Sequence, residues 1–391
     1  MRLFLSSLLS LGAAASAITT YSLLDPTRVL LQGRYLATPN GTVAADIELF
    51  SISFHVANAT AILLRLDDRT ASGARLAVTL DTRVGALSDP NPSGSAMPGL
   101  RVATLLTSRQ VPLYNLGSGG QVHGLSLRVT VTLLSEWEMI GASAQGGALE
   151  FVSLDTDGTL LPAPARPSRR LAILGDSLSS GVGCGFSSAP GTACGAGVPI
   201  DDASATWAAL VCANFSAECE LVAGSGITLF ADKAYNLPMV FPYALGAMGS
   251  AAWPVAQRVQ WSFDQHPVDA VLLELGENDC HALNCSSPSD LAQLVDAFVA
   301  FVTALGTRYY PRTTPFFLAI ANHEAGQSRA MLLALPPLTA AGFHVTFLNA
   351  TAPNAVNNVS IDTGCAGHPS AAQQQLSFER AQAAVAAVLG W

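Results

Sequence analysis

Between Leu125 and Leu133 the chain alternates strictly, with Leu125, Leu127, Val129, Val131 and Leu133 set against Ser126, Arg128, Thr130 and Thr132. A period of two puts one set on a core and the other toward water, which predicts a half-buried strand. Leu76, Val78 and Leu80 repeat the pattern. From Ile18 to about Gly158, turn-rich stretches such as Asp89-Pro90-Asn91-Pro92-Ser93-Gly94 separate runs of this kind. Strands punctuated by turns, without intervening helices, predict an antiparallel β-sandwich. Pro162, Pro164 and Pro167 then mark the stretch from Leu160 to Arg170 as a linker.

The pattern changes beyond the linker. Short apolar runs at Leu171 to Leu174, Leu221 to Ala223, Ala270 to Leu275, Phe316 to Ile320 and Val345 to Leu348 stand far enough apart for crossover helices. Strands buried on both faces read this way, so an α/β domain with a doubly wound parallel sheet is expected. Leu291, Leu294, Val295, Phe298, Val299, Phe301, Val302 and Leu305 recur at helical spacing behind a Ser289 cap, predicting a helix packed on that sheet. The expected organisation is a signal peptide over 1–17, a sandwich over 18–159, a linker over 160–168 and the parallel-sheet domain over 169–391. A length of 391 residues agrees with two domains, since single cores stop growing at about 250–300 residues.

Residues 1–17 run from Met1 and Arg2 through an apolar stretch to Ala15-Ser16-Ala17, the layout of a secretory signal. A membrane anchor needs about 20 apolar residues, more than this stretch holds, and no later segment is expected to span a membrane. Acceptor sequons begin at Asn40, Asn58, Asn214, Asn284, Asn349 and Asn358, which agrees with export. The 7 cysteines all lie beyond residue 180, in close pairs such as Cys212 with Cys219 and Cys280 with Cys285. Local disulfides with one thiol left over are expected, and no C-x-x-C repeat or His cluster suggests a metal. A net charge of -9 with no basic run argues against nucleic acid as a partner.

Three polar motifs each follow a predicted parallel strand: Gly175-Asp176-Ser177, Gly224-Ser225-Gly226 and Gly276-Glu277-Asn278-Asp279. A fourth, Gly364-Cys365-Ala366-Gly367-His368-Pro369-Ser370, precedes the last helix. Ligands of open parallel sheets bind beyond the carboxyl ends of the strands, so these segments are expected to converge. Acyl transfer needs a nucleophile, a base and donors for the developing oxyanion. Ser177 supplies the hydroxyl, and His368 an imidazole, a group whose ordinary pKa of about 6.5 suits it to accept a proton near neutrality. The backbone N–H groups of Ser177 and Gly224 and the side-chain amide of Asn278 are the candidate oxyanion donors. Asp176 is expected to fix the nucleophile turn and Asp279 to brace Asn278. His281, His323 and Glu324 lie near these loops, where a solvated role is the plainer reading. No nucleotide fingerprint follows the first parallel strand, so no cofactor is implied.

The order of G-D-S, glycine, G-x-N-D and H-P resembles the four blocks of the SGNH (GDSL-like) hydrolases, here Ser177, Gly224, Asn278 and His368. Arg169 to Ser177, Ala223 to Gly226, and Gly364-Cys365 before His368-Pro369 look more narrowly like carbohydrate esterase family 2. The resemblance implies a jelly-roll-like sandwich joined to a flavodoxin-like SGNH domain, and a secreted serine esterase acting on acetylated carbohydrate. A lipase or thioesterase with a longer acyl pocket and a catalytically vestigial carbohydrate-binding protein are the competing readings. Most SGNH enzymes carry an Asp where this chain has Cys365. As in relatives that share this cysteine, a Ser–His dyad is implied, with the carbonyl of Cys365 or Ala366 orienting the ring. Asp362 is the alternative orienter. Gly367 replaces an aromatic that many relatives place before the histidine, which leaves the sugar preference open.

Overall fold

A computed structural model describes residues 17–67, 75–83, 100–105, 110–115, 126–134, 148–185, 201–230, 236–249, 254–321, 324–351, 364–365 and 367–391. The early strands form two antiparallel sheets. One runs in the order Leu36–Ala37, Val43–Ala45, Leu149–Thr156, Ala61–Leu66, Gln110–Asn115, with Thr19–Tyr21 also paired to Leu149–Thr156. The other runs Thr159–Leu160, Ser51–Ala57, Ser126–Leu133, Arg75–Arg83, Leu100–Leu105, with Val29–Gln32 also on Ser51–Ala57. The alternating stretch is a strand as its period demands: Leu127, Val129, Val131 and Leu133 are buried, and the polar residues between them are half-buried. Leu125 and the turn at 89–94 lie outside the described residues. Ile52, Phe54 and Val129 of one sheet share a core with Val43, Leu64 and Phe151 of the other, so the sheets stack as a sandwich.

The later chain forms a parallel sheet of β1 (Arg169–Gly175), β2 (Ala217–Val222), β3 (Ala270–Glu274), β4 (Phe316–Ile320) and β5 (Val345–Asn349), in the order β2-β1-β3-β4-β5. This is a doubly wound order whose direction switches between β1 and β3, where the strand ends open a crevice. The helices are α1 (Ser177–Ser180), α2 (Trp207–Asn214), α3 (Leu237–Val240), α4 (Glu277–Ala282), α5 (Pro288–Ala304), α6 (Ala325–Ala340) and α7 (Ala371–Leu389). Successive strand residues serve opposite faces. Ala172, Leu174, Leu273 and Leu318 pack with Phe298 of α5 and Met331 of α6, whereas Leu171, Ile173, Leu272 and Phe317 pack with Trp207 of α2 and Val385 of α7. Burial on both faces is why β3 and β4 read as largely apolar runs.

Helix α5 differs from expectation at both ends. Its N-cap is Ser287 rather than Ser289, because Pro288 takes the first helical position, where its missing N–H costs nothing. Its run continues through a wider turn to Tyr309, and at 22 residues it is long and apolar enough to cross a membrane by length and composition. Leu291, Leu294, Phe298, Phe301 and Val302 instead pack into the core.

Residues 161–168 carry no strand or helix, yet they are tied down. Ala163 N–H bonds the Thr27 carbonyl at 2.9 Å, and Arg166 grips Glu218 of β2 at 2.6 Å. The sandwich also inserts Arg34, only 1% exposed, beside β2. Its Nε donates to Glu220 at 2.9 Å, its guanidinium lies 4.7 Å from the Phe241 ring centre, and Trp261 Nε1 completes the Glu220 carboxylate at 3.2 Å.

Candidate active site

The carboxyl ends of β2, β1 and β3 lie side by side, Leu174 pairing with Val222 and Gly175 with Glu274. The loops that leave these ends carry Gly224, Ser177 and Asn278, so register alone gathers three motifs along one edge. Asp176 caps α1: its Oδ1 accepts the Leu178 N–H at 3.0 Å, which starts the helix at Ser177. Burial, reinforced by Glu277 and Glu274, raises the Asp176 carboxyl well above the usual carboxylate range. Its second oxygen is buried without a hydrogen-bond partner.

His368 Nε2 stands 2.9 Å from Ser177 Oγ, across 191 residues of sequence. Two short bonds shape its loop, Gly364 N–H to the His368 carbonyl at 2.7 Å and His368 N–H to the Cys365 carbonyl at 3.1 Å. The close approach depends on glycine, since a Cβ on Gly364 would sit 2.6 Å from the Gly183 carbonyl oxygen. Ser370 caps α7 by accepting the Gln373 N–H at 3.3 Å, as the sequence suggests. Among the described residues Nδ1 of His368 is buried without a hydrogen-bond partner, and the Cys365 carbonyl accepts the His368 backbone N–H in closing the turn. Ala366 and Asp362 lie outside the described residues. Cys365 is disulfide-bonded, which rules it out as a reactive thiol.

The candidate oxyanion donors are tied to one another. Asn278 Nδ2 donates to the Ile227 carbonyl at 3.1 Å, and Ile227 N–H closes on the Gly224 carbonyl at 3.2 Å. Asp279 is buried and accepts the N–H groups of Leu229 at 3.0 Å and Phe230 at 3.1 Å. It therefore braces the loop after β2. His281 is exposed, Glu324 caps α6 through the Gly326 N–H at 3.1 Å, and His323 lies outside the described residues. The pairs Cys212–Cys219 and Cys280–Cys285 are disulfides, and Cys184 is a buried free thiol. Among the described residues no group of three or more His, Cys, Asp or Glu is placed to hold a metal ion.

Sequence reasoning missed the residues behind the nucleophile turn. Glu274 ends β3, fully buried, and takes bonds from Ser179 Oγ at 2.7 Å and Trp207 Nε1 at 3.1 Å. Burial pushes its carboxyl up to about 7. A lone acid closing an otherwise apolar strand was the signal available.

No family model and no curated protein matches the sequence. Solved structures do. An acetyl xylan esterase from the rumen bacterium Butyrivibrio proteoclasticus superposes with a TM-score of 0.74 at 18% identity, covering 97% of this chain and 100% of that one. A family two carbohydrate esterase from Clostridium thermocellum, in complex with cellohexaose, gives 0.71 at 20% identity over 93% of this chain and 99% of that one. This is the fold of the family two carbohydrate esterases. The carbohydrate esterase fold is not confined to esterases. A salicylyl-acyltransferase from a tetracycline biosynthetic pathway shares it with a TM-score of 0.60 at 13% identity, covering 96% of this chain and 98% of that one. Fold alone therefore does not select a reaction.

Proposed function

We propose that the chain is a secreted serine esterase of the SGNH type that removes O-acetyl groups from carbohydrate, with Ser177 as nucleophile and His368 as base. The observation that carries this reading is the 2.9 Å contact between His368 Nε2 and Ser177 Oγ, at the strand edge where a parallel sheet presents its ligands. Neutral imidazole takes the hydroxyl proton as Oγ attacks the acetyl carbonyl. The tetrahedral oxyanion is met by the N–H groups of Ser177 and Gly224 and by Asn278, whose amide has a second N–H beyond the one given to Ile227. Collapse expels the sugar alkoxide, which the imidazolium protonates. Water then attacks the acyl-serine with His368 again as base, releasing acetate and restoring the hydroxyl. Each oxyanion donor is worth about 3 kcal/mol in the transition state. The reading treats Ser177 and His368 as a dyad, the ring seated by its loop.

We read residues 18–159 as a jelly-roll-like sandwich, 160–168 as its linker and 169–391 as the hydrolase domain. Secretion after a signal peptide at 1–17 is supported by the disulfides and by Asn40, Asn58, Asn214, Asn284 and Asn349, which are all exposed. Asn358 lies outside the described residues. The carbohydrate esterase fold supports an acetylated glycan as substrate. The test is acetate release from a small acetyl ester and from acetylated polysaccharides. Ser177→Ala and His368→Ala each lower turnover by about 10⁴-fold or more while the fold survives; full activity in either variant overturns the assignment.

A further inference from the structure

Glu274, Ser179, Trp207 and Gln374 meet behind the nucleophile turn from four separate segments. Glu274 closes β3 opposite Gly175 of β1. Its carboxylate takes Ser179 Oγ at 2.7 Å from α1 and Trp207 Nε1 at 3.1 Å from the start of α2. Gln374, in the first turn of α7 and six residues beyond His368, links the same parts. Its Oε1 accepts the Trp207 N–H at 2.9 Å and its Nε2 donates to the Leu178 carbonyl at 3.2 Å. All four side chains are buried. Gly175 belongs to the arrangement, because a Cβ there would lie 2.0 Å from Ser179 Oγ and 2.4 Å from its Cβ. The first glycine of G-D-S thus makes room for Ser179 to reach Glu274.

We propose that Glu274 is a positioning residue, which through Ser179, Trp207 and Gln374 holds the turn of Ser177 and the helix behind His368 at reacting distance. The inference rests on Ser177 and His368 being the reacting pair. The geometry calls for such a device. Among the described residues Nδ1 of His368 has no hydrogen-bond partner, and the spacing of the pair depends on the elements that carry it. Of those elements, α1 is one turn long, too short to hold its own direction, and Ser179 is its side-chain anchor to the sheet. Near-attack geometry is sensitive to displacements of about 1 Å, which cost up to roughly 100-fold in rate. Glu274 touches neither substrate nor the reacting atoms in this scheme and acts through the backbone of α1.

The experiment measures kcat and KM on a small acetyl ester, normalised to sites titrated with a fluorophosphonate that labels the reactive serine. Ser179→Ala and Glu274→Gln each lower kcat per titrated site by about 10- to 100-fold with KM nearly unchanged. Because they break one contact, the double variant is no slower than the slower single one. Ser179→Thr, which keeps the hydroxyl, recovers part of the loss. A merely structural brace predicts less folded protein with normal turnover per titrated site, and that result in Ser179→Ala, the variant least able to unfold the chain, overturns the proposal. Ser177→Ala run alongside separates the two claims. Activity in that variant refutes the site itself, whereas an inert Ser177→Ala beside a fully active Ser179→Ala refutes only the brace.

Discussion

The seam between sandwich and parallel sheet and the edge where Ser177 meets His368 both bury charge, and they do so in opposite ways. At the seam, Glu220 and Glu218 meet cations, while Asp46 meets backbone N–H groups. Glu220 holds Arg34 at 2.9 Å, and Glu218 holds Arg166 at 2.6 Å and Arg170 at 3.1 Å. At the edge of Ser177 and His368, Asp176 and Glu274 take bonds from neutral donors, the Leu178 N–H, the Ser179 hydroxyl and the Trp207 indole. Among the described residues Asp176 Oδ2, Ser180 Oγ and His368 Nδ1 are buried there without a hydrogen bond, as is Arg34 Nη2 at the seam. Unsatisfied or perturbed groups cost stability and concentrate where chemistry is done, whereas a matched pair fixes geometry.

The harshest way to test this contrast is to remove the seam's cation. Arg34→Ala leaves Glu220 buried beside aromatic rings with no partner charge, a loss of about 3–5 kcal/mol. Urea unfolding followed by Trp fluorescence measures it, and the folded fraction retains normal kcat because the site is untouched. Replacing the pair together, Arg34→Met with Glu220→Leu, recovers most of the loss, since apolar substitutes for a buried pair are close to neutral. If the single and double variants are equally unstable, the rings around Arg34 rather than its charge carry the seam.

Acidity separates the regions more finely. Asp46 of the sandwich accepts Gly246 N–H at 2.9 Å and Ala247 N–H at 2.8 Å, and burial lifts its carboxyl from 3.8 to about 6. Burial lifts Glu274 from 4.5 to about 7. In both cases the unfolded chain gives up its proton first as pH rises. The stability contributed is whole below the ordinary value and is lost as pH climbs to the folded one, roughly 3 kcal/mol for each group. Asp46→Asn therefore flattens the decline in stability between pH 3.8 and about 6, with kcat unchanged. Glu274→Gln flattens it between 4.5 and about 7 and lowers kcat as well. Stability measured against pH at fixed urea distinguishes them. A change in kcat on Asp46→Asn would show that the seam reaches the site.

What could be read in advance follows from the range over which each feature acts. The strand at Ser126–Leu133 and the five parallel strands were legible because a period of two, or its replacement by a largely apolar run, is local. Ser177 and His368 were legible because acyl chemistry demands particular side chains and the sheet topology says where they meet. The cap of α5 slipped from Ser289 to Ser287 because a proline's preference for the first helical position outweighs an equally good hydroxyl two residues on. The brace was illegible for a different reason. Trp207 and Gln374 look like ordinary core residues, and their meeting with Glu274 depends on how α2 and α7 cross the sheet.

The smallest effect belongs to Cys184, which lies just behind the histidine loop. It follows Gly183, where an added Cβ would sit 3.2 Å from His368 Cβ, and its thiol points to the Pro369 carbonyl at 3.7 Å. Burial, with Asp202 and Asp201 adding to it, pushes the thiol up to about 12, so almost no thiolate exists at working pH. On the proposed function, native protein incubated with a small thiol reagent should keep its full rate of acetyl-ester hydrolysis, and the thiol should react only once the chain is unfolded. Cys184→Ala should cost no more than about 1–2 kcal/mol, the loss of a small buried sulfur, with kcat unaltered. Rapid labelling of the folded protein, with activity falling in step, would mean that water reaches the back of the site. The contrast between a reactive front and a dry, neutral backing would then fail.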